Sequence, residues 1–388
     1  MKKSKFLERI NDLIWYCLIA YTASDIFSIA IVQIFAGVLL VLFVLKKIIS
    51  ANFSFQKNPV NIPLLVFILT RIISVFLSIN PEESIPSLYK EVIFYFVFFV
   101  LVNEIDINNR QRVKLILQIV ISTGLIATLY GISVYVFVHH ERISSTASGY
   151  YTLGMYLTAC LAISLLTGRT EIFPKRYLWW ITNLIFMAGI LLTLDRAHWV
   201  AMSFAVIFAG ILKERKFLVV YLVILVISIL AVPSLLDRIT LTLRQMDFSE
   251  RGLIWKGAYV LMWKHPLFGF GTETFTGIFP FYDYMYDKGV SSWHNDFIQI
   301  YIESGLVCLI SYIYLIVIIY KKSFQALKKF GGINKGLQEE ILPGLLLAFT
   351  AFIFSGFLLD PITRMLFILI ISLIALIVTK DSVGISEF

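Results

Sequence analysis

The sequence predicts an all-α integral membrane protein with about 12 transmembrane helices and one large loop outside the cytoplasm. Hydrophobic residues make up 59% of the 388 residues and charged residues only 15%, whereas soluble domains usually contain about 45–50% apolar residues. The apolar residues form runs close to the roughly 20 residues that a helix needs to cross a bilayer, and short basic segments separate these runs.

The ends of the apolar runs define the predicted spans. They are 10–24, 27–45, 61–79, 88–103, 113–138, 149–167, 178–194, 197–212, 217–232, 296–320, 341–358 and 364–379. Lys and Arg are retained on the cytoplasmic side of a membrane. With the N-terminus inside, the cytoplasmic segments collect about two thirds of all Lys and Arg residues, as that rule demands. Both termini are therefore predicted to be cytoplasmic.

This topology divides the chain into spans 1–9 within 1–232, an outer loop of 233–295 and spans 10–12 within 296–388, all in one membrane domain. A surface helix is predicted from Ser249 to His265, because Arg251, Trp255, Ala258 and Met262 recur at helical spacing and Pro266 ends the run. Its tryptophans suit a membrane interface. The Gly-Phe-Gly at 269–271 permits tight backbone conformations.

Several function classes are excluded by residue type and spacing. The net charge of +8 is scattered between apolar runs, so nucleic-acid binding is not expected. The three cysteines lie inside apolar runs without metal-ligand spacing, and the acidic residues of the outer loop form no paired cluster, so no metal site is predicted. A polytopic transporter is the alternative from another class, but the two halves show no matching pair of broken helices.

Two polar motifs interrupt the apolar pattern, at Asp195–Trp199 and at Trp293–Asp296. An Arg at membrane depth needs an anionic partner or water. Arg196 is therefore either paired with Asp195 in a hairpin turn or a ligand-binding residue. His294 is either a structural interfacial residue or a catalytic one, since imidazole titrates near neutral pH.

Neighbouring polar residues have similar pairs of interpretations. Asn295 and Asp296 either orient His294 or cap the following helix. Glu303 lies two turns into the next span, where it either supports a site or forms a buried hydrogen bond. Arg142 either contacts a phosphate or the acceptor of a substrate, or it is a solvated loop cation. His265 precedes Pro266 and is interpreted as a helix C-terminal cap.

Together these motifs resemble the bacterial O-antigen ligase and O-antigen polymerase superfamily. His294–Ile300 followed by Glu303–Leu306 is similar to the family's His-Asn…Glu-x-Gly-Leu signature. Arg251–Trp255 and His265–Gly271 resemble its loop pattern of Arg and Trp followed by Pro-Leu-x-Gly-x-Gly. Asp195–Trp199 resembles its Ser-Arg-x-x-Trp turn, although Asp stands where Ser is usual. The span layout agrees as well.

The resemblance implies transfer of a glycan from undecaprenyl diphosphate to an acceptor sugar, with inversion and without a metal or other cofactor. It assigns His294 as the general base, which takes the proton of the acceptor hydroxyl. It assigns Arg196 and Arg251 to the diphosphate, because guanidinium pairs well with phosphate oxygens. The expected supporting residues are Arg142, Trp199, Trp255, Asn295 and Glu303.

An O-antigen ligase is favoured over a polymerase. Its partners are the undecaprenyl-diphosphate-linked glycan as donor, a lipid A-core oligosaccharide as acceptor and the membrane lipids. In the polymerase alternative, the acceptor is another lipid-linked repeat unit. Both place the protein in the bacterial inner membrane with a periplasmic active site.

Overall fold

The computed structural model describes residues 2–138, 142–146, 149–167, 172–212, 215–231, 240, 251–286, 290–329, 337–355 and 361–383. The first part of the predicted outer loop, the histidines at 139 and 140, and the predicted boundary between 232 and 233 lie outside these residues.

The described residues form helices and connecting segments. In chain order the helices are α1 Lys2–Ser24, α2 Ile29–Ser50, α3 Asn61–Phe76, α4 Pro81–Glu104, α5 Arg110–Phe137, α6 Tyr150–Leu166, α7 Arg176–Leu192, α8 Arg196–Leu212, α9 Lys216–Ala231, α10 Arg251–Leu261, α11 Phe275–Ile278, the 3₁₀ turn Tyr282–Tyr284, α12 Asp296–Lys329, α13 Leu337–Ser355 and α14 Pro361–Val383. Each predicted span overlaps one of these helices, although α1 and α4 start eight and seven residues before the predicted spans and α12 ends nine residues after its span.

Five described helices are long and apolar enough to cross a membrane, namely Ile29–Ser50, Pro81–Glu104, Arg110–Phe137, Asp296–Lys329 and Leu337–Phe354. Six further apolar helices are shorter, between 10 and 17 residues. A helix satisfies its own backbone groups, which is why helices suit lipid. The molecule is thus a multi-pass helical membrane protein, and the number of twelve spans stays a prediction.

The centre of the bundle is built on α6, whose residues 152–166 are all buried. A helix that is apolar all round is expected to be enclosed by other helices. It packs against α5, α7, α8 and α13. Small residues allow this close approach. A Cβ added at Gly154, for example, would lie 2.4 Å from Cδ2 of His198 on α8.

The outer loop has a hydrophobic core of its own. Its buried members come from α10, from the segment between α10 and α12, and from the first turns of α12; they are Ile254, Ala258, Leu261, Phe270, Phe275, Phe279, Met285, Trp293 and Ile302. The surface helix predicted to reach His265 ends at Leu261 instead. The next carbonyl group, of Met262, accepts a hydrogen bond from the Tyr301 hydroxyl at 2.7 Å. This bond ties the end of α10 to α12.

Candidate functional site

The site is organised by a break in α12. Gly305 has φ 77° and ψ −176°, so the regular helix stops there and resumes beyond it. Backbone groups freed by the break bond to the outer loop. Phe270 N donates to Ile302 O at 2.9 Å, Gly271 N to Glu303 O at 2.9 Å, and Leu306 N to Pro266 O at 2.7 Å. The loop segment is therefore docked directly on the broken helix.

Glycine is required on both sides of this docking contact. A Cβ at Gly269 would lie 2.3 Å from the carbonyl carbon of Glu303. A Cβ at Gly305 would lie 2.1 Å from the Leu267 oxygen, and both glycines have positive φ. Glycine is the amino acid that adopts this backbone conformation readily and also leaves room for so close a contact. The two glycines of the sequence motifs thus serve one structural purpose, although they are far apart in the chain.

Trp293 anchors the residue that follows it. Its side chain is fully buried in the loop core. The indole ring lies edge-on to the Phe275 ring, with centroids 4.8 Å apart, and to the Phe279 ring at 5.8 Å. Such edge-to-face contacts fix ring orientation. The chain therefore enters α12 from a rigid aromatic support.

His294 lies between that support and α12 in a left-handed backbone conformation, with φ 50°. His, Asn and Asp are the non-glycine residues that adopt this region most often. Its side chain is half-buried. Nδ1 lies 3.5 Å from the Ser292 hydroxyl. Asn295 then caps α12, because its Oδ1 accepts a hydrogen bond from Ile298 N at 3.1 Å. The capping interpretation of Asn295 is confirmed.

Burial lowers the pKa of His294 below its ordinary value, and the positive charge of Arg251 lowers this pKa further. Both effects disfavour the imidazolium. The structure thus places His294 within the electrostatic influence of Arg251, and both causes favour the neutral imidazole. A neutral imidazole can accept a proton from a hydroxyl group.

An apolar groove of about 580 Å³ lies between α10 and α12. One wall is aromatic and includes Trp255 and Tyr259 of α10 and Trp263 just beyond its end, while α12 contributes Ile298 and other apolar side chains. Trp255 is 44% exposed and Tyr259 is 68% exposed. The predicted interfacial face of α10 is therefore one wall of an open apolar groove, and Trp255 belongs to it.

A buried ion-pair network includes Glu303, two residues before the α12 break at Gly305. Arg71 of α3 pairs with Glu91 of α4 at 2.7 Å and with Glu303 of α12 at 3.0 Å, and all three side chains are about 2% exposed. Glu303 therefore forms the buried contact with neighbouring helices that was one of its two interpretations. Arg71 was not singled out from the sequence, although an Arg in the middle of a predicted span is costly without a partner and was a usable signal.

The Asp195–Trp199 motif forms the turn between α7 and α8. Asp195 Oδ1 caps α8 by accepting hydrogen bonds from Ala197 N at 2.9 Å and His198 N at 3.3 Å. Trp199 Nε1 donates to the last carbonyls of α7, Ile190 O at 3.2 Å and Leu191 O at 3.3 Å. Arg196 is the first residue of α8 and half-buried. The turn is structural, and a ligand role for Arg196 or Trp199 stays a prediction.

Two other predicted residues have a defined place. The Arg142 guanidinium lies over the Tyr150 ring, 4.3 Å from its centroid, at the start of α6. Its proposed contact with substrate stays a prediction. His265 is exposed, and its ring lies 4.5 Å from the Phe270 ring. Its backbone carbonyl accepts a hydrogen bond from Gly269 N at 3.0 Å, inside the loop turn.

These features define a class of protein: a polytopic helical membrane protein with a half-buried histidine directly before α12, an arginine at the start of α10 and an apolar groove between these two helices. Residues 181–313 match the model of a protein family described as O-antigen ligase. The match confirms the resemblance to the O-antigen ligase and polymerase superfamily over about a third of the chain, including Arg196, Arg251 and His294. Members of this family are glycosyltransferase-like membrane enzymes. No curated protein matches the sequence.

Proposed function

We propose that this protein is an O-antigen ligase that transfers a glycan from undecaprenyl diphosphate to a lipid A-core acceptor. The observation that carries the proposal is the apolar groove between α10 and α12, because Arg251 lies one helical turn before Trp255 and His294 lies four residues before Ile298, and Trp255 and Ile298 both line the groove. A lipid diphosphate donor needs an apolar surface for its chain, a cation for its phosphates and a base for the acceptor. The groove is such a surface, and Arg251 and His294 are residues of the required types on the same two helices or directly before them.

In the proposed reaction, the acceptor hydroxyl oxygen attacks the anomeric carbon of the lipid-linked sugar. His294 takes the hydroxyl proton, an assistance typically worth about 10²–10⁴-fold. The bond between the anomeric carbon and the phosphate oxygen breaks, and undecaprenyl diphosphate leaves with the bonding pair. Arg251, together with Arg196, stabilises the negative charge that develops on the diphosphate. Direct attack of this kind inverts the anomeric centre.

The remaining residues act around this centre. Trp255 is proposed to support the carrier chain at the groove entrance, and Asn295 and Glu303 hold the helix that follows His294. Arg142 and Trp199 are proposed as supporting residues near the outer ends of α6 and α8. With both termini in the cytoplasm, the site faces the periplasm of a bacterium and the protein resides in the inner membrane.

The test is reconstitution in liposomes with undecaprenyl-diphosphate-linked glycan and lipid A-core, supplied together and separately. A larger lipopolysaccharide formed only when both substrates are present would support the ligase. Chain growth on the carrier without lipid A-core would instead identify a polymerase, which shares the donor and leaving group. Substrate uptake by the vesicles without any new glycosidic bond would overturn both and favour a transporter.

The Arg251 charge is expected to control the pH dependence of transfer. Neutral His294 is the competent base, so the rate rises with pH through the pKa of this residue. Replacing Arg251 with Gln removes a nearby positive charge, makes the imidazolium easier to form and raises that pKa. The acid midpoint of the kcat/KM profile should therefore move to higher pH, and kcat should fall.

Lys256→Gln is the matched control, because Lys256 lies on the same helix, is exposed and places its Nζ over the Phe281 ring at 5.5 Å. This variant should keep the wild-type midpoint. An unchanged midpoint in Arg251→Gln, or an equal shift in both variants, would contradict the assignment.

The apolar groove is expected to recognise the isoprenoid chain of the donor. Tyr259→Ala removes part of its aromatic wall and should raise KM for the long-chain donor roughly three- to tenfold, by loss of apolar contact. A donor with a shortened chain should show no such change. Tyr16→Ala is the control, since Tyr16 on α1 is 67% exposed against 68% for Tyr259. Equal KM changes in the two variants would count against the groove.

A further inference from the structure

The guanidinium of Arg71 is a buried charged group that the proposed chemistry does not use. Its Nη1 donates to Glu303 Oε2 at 3.0 Å and to Ser304 Oγ at 2.8 Å, while Nη2 donates to Glu91 Oε2 at 2.7 Å. Tyr95 OH donates to the other oxygen of Glu91 at 2.8 Å. One side chain of α3 thus holds α4 and α12 together.

This contact falls on the two residues that directly precede the α12 break. Ser74, one turn after Arg71 on α3, donates its hydroxyl to Glu303 O at 2.8 Å. The same carbonyl oxygen accepts Gly271 N of the outer loop. The side chain and the backbone of Glu303 are therefore both held by α3, at the point where the loop docks. Any rotation of the segment before Gly305 would break both sets of bonds.

The network also extends toward His294. Glu303 Oε1 accepts a hydrogen bond from Gln299 Nε2 at 2.9 Å. Gln299 N in turn donates to Asn295 O at 2.8 Å, in the first turn of α12. The carboxylate that Arg71 holds is thus connected, through a single side chain, to the turn that begins directly after His294.

The energetics of the Arg71 network favour a role in setting the angle between helices rather than in adding stability. Three charged groups placed inside spanning helices carry a large desolvation cost, and apolar residues of similar volume are often no less stable. What an apolar side chain cannot supply is a fork of directed donors that defines the angle between two helices. Arg71 supplies three such bonds to two helices.

We infer that Arg71 is a positioning residue: together with Glu91 and Glu303, it fixes the segment Asp296–Ser304 and the loop docked on it, and thereby the placement of His294. The link to transfer rests on the proposed function, whereas the placement of His294 does not. Misplacement of a reacting group by about 1 Å can cost about 10²-fold in rate.

The test uses Arg71→Lys, which keeps a positive charge but loses the planar fork, in the full-length protein in nanodiscs. We expect kcat to fall about 10²-fold with little change in KM. We also expect the pKa of His294 to move up toward its ordinary value, because the loosened imidazole loses part of its burial. The second quantity is measured without substrate, by NMR titration of labelled histidine, with His294→Asn to assign the signal.

A charge-free variant covers the case in which Arg71→Lys fails to fold. Arg71→Met with Glu91→Gln and Glu303→Gln leaves no unpaired buried charge, so it should fold, yet it lacks the directed bonds and should show the same two defects. Leu345→Ala on α13 is the control, since Leu345 is fully buried within a different part of the bundle. It should lower the folded fraction without moving the His294 midpoint.

The inference would be overturned if either Arg71→Lys or the triple variant showed the wild-type kcat and an unchanged midpoint of the His294 titration. A shifted midpoint in a protein whose wild type performs no glycan transfer would uphold the positioning of His294 and refute the proposed function instead. The two failures are therefore distinguishable.

Discussion

Replacing His294 with Asn is expected to slow glycan transfer by about 10²–10⁴-fold, because the variant lacks the imidazole that takes the proton of the acceptor hydroxyl in the proposed mechanism. Asn is chosen because it tolerates the left-handed conformation at φ 50°, which Ala does less readily. The variant should therefore insert and fold as the wild type does. Initial rates in liposomes, compared at equal amounts of folded protein, measure the effect.

His265→Asn is the control for this substitution. His265 lies in the same outer loop but is exposed, and its ring contacts Phe270 rather than the His294 region. Its activity should stay within a few fold of wild type. Full activity in His294→Asn would remove the general base from the proposed mechanism. Equal losses in both variants would point to a disturbed loop rather than to lost chemistry.

Replacing Gly305 with Ala is expected to have the largest effect on stability. The new Cβ would lie 2.1 Å from the Leu267 oxygen, and the residue would have to keep φ 77°. Backbone strain of this kind costs about 1–3 kcal/mol, and overpacking costs about 1–3 kcal/mol as well. The outer loop should detach from α12, so the variant should melt at lower temperature, be cleaved by protease near 266–271 and lose transfer activity.

Gly277→Ala provides the comparison, since a Cβ at that glycine meets no atom within 4 Å. Its melting temperature and protease pattern should match those of the wild type. A stable, active Gly305→Ala protein would show that the break in α12 is not needed for docking the loop.

The helical segments followed from local information. Each apolar run became a helix because a chain in lipid must satisfy its backbone groups internally. Most helix ends lie within about five residues of the predicted ends, but the start of α1, the start of α4 and the end of α12 differ by seven to nine residues. The site motifs were also recognisable, since Arg251 lies in the polar outer loop, His294 directly precedes the Asn-Asp start of a predicted span, and Gly305 belongs to the motif at 303–306 inside that span. The end of α10 was misplaced by four residues: the helix stops at Leu261, and the next carbonyl, of Met262, accepts a hydrogen bond from the distant Tyr301 hydroxyl.

The candidate site depended on more than its motifs. Sequence left Glu303 and Asn295 each with two roles, and the structure assigned Glu303 to Arg71 and Asn295 to the cap of α12. It also gave Asp195 a capping role for α8. Such assignments require knowing which helices are neighbours, and apolar runs of similar composition carry little information about that.

By itself the sequence determined the membrane class, the positions of the helices and the loop that holds the candidate chemistry, because hydropathy acts over one short stretch of chain at a time. Only the tertiary structure decided that Arg71 meets Glu303, 232 residues further on, and that His294 is partly buried within the electrostatic influence of Arg251. Burial and ion pairing depend on which distant segments meet in space. The burial and the charge environment of His294 are therefore set by the packed fold and not by its neighbours in sequence.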